Sequence, residues 1–169
     1  DKIANIKSYK LPEKWAGYIG YTYDSVSKKD TTKKKLKKKI KKSSSKNGYP
    51  LVIHNLNTGD KDTIPYVTSY SFAKEAEILS YITTGIDDSI NAGVYVINLK
   101  KYDSKNIFQS HNKTKYFKLT VSDNGNNIAF IIDADSSKSY HRDNELFIWN
   151  QSLDKAKLVA NTKISPDGY

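Results

Sequence analysis

The side chains that could do chemistry are few and far apart. The three histidines, His54, His111 and His141, fall in no Ser/His/Asp or metal-ligand spacing, so each reads as an ordinary structural or surface histidine. Asp133, Asp135 and Asp143 offer oxygen ligands to a hard cation. They lack the glycine and the closing glutamate of a calcium loop, and they read as solvated acids on a hairpin. A serine nucleophile held on a strained strand-to-helix turn needs Gly-x-Ser-x-Gly, and the chain contains no such motif. With no cysteine there is no thiolate nucleophile, zinc finger or disulfide framework. No catalytic residue, metal ligand or cofactor site is assigned on these grounds.

The densest chemical signal is a run of lysines. Between Lys28 and Lys46 there are eleven lysines and one acid, Asp30, so this stretch alone carries 11 − 1 = +10, the formal net charge of the whole chain. The basic balance therefore describes one loop and not the domain. Thr31 could cap a short helix placing Leu36 and Ile40 on one face. Like charges at this density oppose that helix, and such blocks are generally solvated and flexible. Two apolar residues contribute little to membrane insertion, and no aromatic side chains interleave the lysines as nucleic-acid stacking would require. A solvated loop is the leading reading. The alternative is an anionic-surface contact through Lys33, Lys34, Lys35, Lys37, Lys38, Lys39, Lys41 and Lys42.

These residues must be positioned by the elements around them, and at 169 residues the chain is long enough for one domain with a real core. An aromatic fraction of 12%, including 13 tyrosines, together with many β-branched residues favours strands over helices. No apolar run approaches the ~20 residues that span a bilayer, and Asp1-Lys2-Ile3-Ala4-Asn5 lacks the apolar core of a signal peptide. The absence of methionine suggests a processed product or an excised piece.

An internal repeat organises the rest. Ser71-Phe72-Ala73-Lys74-Glu75-Ala76-Glu77-Ile78-Leu79-Ser80-Tyr81 aligns with Thr120-Val121-Ser122-Asp123-Asn124-Gly125-Asn126-Asn127-Ile128-Ala129-Phe130, and a further copy opens at Ile164-Ser165-Pro166-Asp167-Gly168-Tyr169. The steps from Ala73 to Ser122 and from Ser122 to Ser165 are 49 and 43 residues. Each repeat holds four strand-like segments with turn signals between them. In the first they are Ile6 to Leu11, Ala16 to Tyr23, Leu51 to Leu56 and Asp62 to Tyr66. The second has Ser69 to Ala73, Glu77 to Thr83, Gly93 to Leu99 and Asn106 to Ser110, and the third Phe117 to Val121, Asn127 to Ile132, Glu145 to Asn150 and Lys157 to Ala160.

The turns Asn57-Thr58-Gly59-Asp60 and Ser122-Asp123-Asn124-Gly125 suit tight connections, since Gly and Asn tolerate positive φ. Val52, Val94, Val96, Phe147 and Trp149 recur on third strands and are expected in the core between neighbouring units. The predicted fold is all-β: about three four-stranded antiparallel blades of an incomplete β-propeller. The expected layout is 1–67 as a first blade with a lysine-rich insertion at about 25–48, then 68–115, then 116–162, and 163–169 opening a fourth blade. Because closed propellers have four to eight blades, the parent protein is expected to continue.

The segments Leu51-Val52-Ile53-His54-Asn55-Leu56-Asn57-Thr58-Gly59, Tyr70-Ser71-Phe72, Gly93-Val94-Tyr95-Val96-Ile97-Asn98-Leu99 and Ile164-Ser165-Pro166-Asp167-Gly168 resemble the propeller of prolyl-oligopeptidase-family serine peptidases. The resemblance covers essentially the whole chain and is closest to exported bacterial members, which also carry a lysine-rich insertion after a strand like Tyr21-Thr22-Tyr23-Asp24. It implies a parent with the rest of the propeller and a C-terminal α/β-hydrolase domain holding a Ser, Asp and His triad. It further implies peptide substrates admitted past the propeller, and a periplasmic or cell-envelope location. On this reading the present chain is scaffold and access filter and supplies no catalytic group. TolB-type propellers share the Ser-Pro-Asp-Gly turn, which keeps open a non-enzymatic, protein-binding propeller. Nucleic acid and membrane are not expected partners, and unpaired edges and uncovered faces predict self-association of the isolated chain.

Overall fold

The computed structural model describes residues 5–24, 47–85, 91–109, 114–133 and 143–164. The lysine-rich insertion with Lys33 to Lys42, His111, His141, Asp135 and the turn at 165–169 lie outside the described residues.

Among the described residues there are eleven strands in chain order: β1 (Ile6–Lys10), β2 (Tyr18–Tyr23), β3 (Tyr49–Asn55), β4 (Lys61–Phe72), β5 (Ile78–Thr83), β6 (Gly93–Asn98), β7 (Asp103–Gln109), β8 (Lys115–Val121), β9 (Asn127–Asp133), β10 (Asn144–Asn150) and β11 (Lys157–Ala160). Every pairing is antiparallel. β1 through β7 form one seven-stranded sheet in sequence order, and β8 to β11 form a second of four.

The seven-stranded sheet is two blades sharing one strand. Two separate strands, Asp62 to Tyr66 and Ser69 to Ala73, were expected, and the structure joins them as β4. Its first half pairs with β3 and its second half with β5. The chain has no glycine or asparagine there to stop a strand, only β-formers around Pro65. Pro65 and Tyr66 together sit opposite the single residue Pro50, a bulge that suits residues without a ladder donor. Tyr66 takes φ +57° at this point, and the strand leaves one blade for the next. The expected boundary after residue 67 thus falls inside β4.

Blade two (second half of β4, β5, β6, β7) is the filling of a sandwich. All six residues of β5 are buried, because alternate side chains meet different neighbours. Leu79 and Tyr81 join Leu51, Ile53, Ile64 and Tyr70 in a cluster towards blade one. Ile78 and Ile82, with Val94, Val96 and Ile107, meet Ile128, Phe130, Ile132 and Trp149 of blade three. Burying each such side chain contributes about 1.5–3 kcal/mol against exposure, so these two interfaces hold the blades together.

The expected core positions divide accordingly. Val94, Val96 and Trp149 lie in the second cluster. Phe147 is only half-buried, stacked on Phe130 with ring centroids 5.6 Å apart and 4.7 Å from Phe108. Val52 is buried but shares its face with Tyr21 and Thr63, while Leu51 and Ile53 turn towards blade two. A one-residue change of parity moves a side chain to the opposite face of the sheet.

Candidate functional site

Successive blades are tied at equivalent turns. The Lys14 N–H donates to the Lys74 carbonyl at 3.1 Å, and one blade further the Glu75 N–H donates to the Asp123 carbonyl at 2.7 Å. Lys74 pairs with Glu13 at 3.0 Å and Lys14 with Glu75 at 2.5 Å, both on exposed side chains. Trp15 adds an Nε1–H bond to the Ala73 carbonyl at 3.0 Å. Gly125, at φ +72°, lets the third blade approach closely, for a Cβ there would lie 2.7 Å from Ile78 Cγ1. The Ser122-Asp123-Asn124-Gly125 turn expected from the sequence is closed by a 2.9 Å bond from the Gly125 N–H to the Ser122 carbonyl.

Of the residues singled out from the sequence that are described, His54 lies in the first blade and Asp133 and Asp143 in the third. His54 is half-buried on β3, in register with Ile19 and Lys61. Asp133 is buried at the end of β9, opposite Lys115 and Asn144, while Asp143 is exposed. Among the described residues no three metal-ligating side chains cluster.

Two clefts were not legible beforehand. One, of about 380 Å³, lies between the first two blades and is lined by Tyr18, Ile53, Asn55, Asp60, Lys61, Asp62 and Tyr102. Tyr102, at φ +52°, donates its hydroxyl to Asp62 Oδ2 at 3.0 Å. Burial and then that carboxylate hold its phenol well above the usual tyrosine range. Asn55 Nδ2 donates to the Tyr18 hydroxyl, which itself donates to the Leu99 carbonyl at 3.2 Å. The polar tips of Tyr18, Asn55, Asp60, Asp62 and Tyr102 are thus held by neighbouring groups, two of these bonds crossing from one blade to the next.

The second is a groove along β1 and the second half of β4, made of two adjoining hollows of about 330 and 300 Å³ that share Lys10. Ser8 Oγ and Thr22 Oγ1 are hydrogen-bonded at 2.8 Å on its floor. The Lys10 ammonium donates to the Tyr70 carbonyl at 2.6 Å and stands 5.1 Å from the centre of the Tyr70 ring. Partial burial lowers the pKa of Lys10. Lys7 lies 5.9 Å from the Tyr49 ring and pairs with Asp24 at 3.4 Å. The only signal available in the sequence was the basic character of Ile6-Lys7-Ser8-Tyr9-Lys10, hidden by the larger lysine run that follows.

No protein-family profile matches the sequence, and no curated protein does. Solved structures do. The β-propeller domain of the trilobed protease from Pyrococcus furiosus is similar with a TM-score of 0.58 at 13% identity, over 92% of this chain and 42% of that one. The fold is that of a β-propeller. The tricorn protease is similar at 0.57 and 10% identity over 93% of this chain, and the uncomplexed acylaminoacyl peptidase of Pyrococcus horikoshii at 0.57 and 8% over 93%. The chain spans 13% and 24% of those two chains, so it corresponds to a minor part of each. In this propeller segment the first strands of the blades lie nearest one another: β8 packs on β4 and β5, and Lys10 reaches Tyr70. The groove therefore lies on the side where the blades converge.

Proposed function

We propose that this chain is the propeller segment of a prolyl-oligopeptidase-like serine peptidase. It acts as scaffold and substrate-access filter for a C-terminal α/β-hydrolase domain carried by the parent. The observation that carries the reading is the stack of three four-stranded blades, each joined to the next at the same turn, in a fold similar to propellers of several peptidases. The sequence motifs quoted above add the family-like strands. No serine in the chain sits in Gly-x-Ser-x-Gly, so nucleophile, base and oxyanion donors must come from the other domain. The further blades of the parent would cover the outer face of blade three, where Ala129, Ile131, Leu146 and Ile148 are only half-buried. Sequencing the parent gene tests this: Gly-x-Ser-x-Gly followed by Asp and His is expected downstream. A frame that closes after six or seven blades would instead make the chain part of a protein-binding propeller.

A further inference from the structure

We draw no further inference here: the strongest candidate, the half-buried apolar patch of Ala129, Ile131, Leu146 and Ile148 on the outer face of blade three, carries nothing because nothing in the structure shows what covers it.

Discussion

At residue scale the blade interfaces depend on positions where one atom more or one proton less is felt. Gly125 combines a left-handed φ with close contact to Ile78 and Ala73 of the preceding blade. Gly125→Ala should lower stability by about 1–3 kcal/mol, from backbone strain plus overpacking, and chemical denaturation would read it as a lower midpoint with unchanged slope. Tyr81 is 3% exposed, stacked on Tyr95 at 5.1 Å, and its phenol is pushed up to about 12, chiefly by burial. A folded pKa above the unfolded one means that the neutral phenol's stabilisation is complete below about pH 10 and is lost as pH rises towards 12. The melting temperature should therefore fall between those values, and Tyr81→Phe should flatten that fall. The identity of such tyrosines was not legible in a sequence with thirteen of them, because burial depends on which blade covers the ring.

At the scale of elements, what could be read locally was read. The turns at Gly59 and Gly125 were marked by glycine and asparagine, and both glycines take positive φ, +82° and +72°. Strands β3, β5, β6, β9, β10 and β11 lie within two residues of the expected spans because alternation and turn residues bracket them. The continuity of the shared strand β4 was hidden because Pro65 marks its bend as a break, while the structure takes up the proline in a bulge. Tyr66 is held at φ +57° by its surroundings, where a β-branched residue is strongly disfavoured and asparagine is tolerated. Tyr66→Val should cost about 1–3 kcal/mol and Tyr66→Asn less, as measured by thermal unfolding. The groove was illegible for a related reason: Lys10 and Tyr70 are 60 residues apart in the chain and meet only after two blades have packed.

At the scale of the molecule, three blades bury the middle one on both faces and leave the outer faces of the first and third to other partners. Ala129, Ile131, Leu146 and Ile148 on the third blade stay half-buried, with Phe117 and Val159 exposed. The chain on its own is expected to self-associate through such surfaces, and light scattering should give a mass above that of one chain; a monomer at high concentration would contradict this.

The parent's downstream sequence decides what the propeller serves. Reading the parent gene downstream of Tyr169 tests it most directly. Further blades leading into Gly-x-Ser-x-Gly and then Asp and His on an α/β-hydrolase domain are expected. A frame that completes a propeller and carries no such domain would contradict it and leave a binding scaffold in its place.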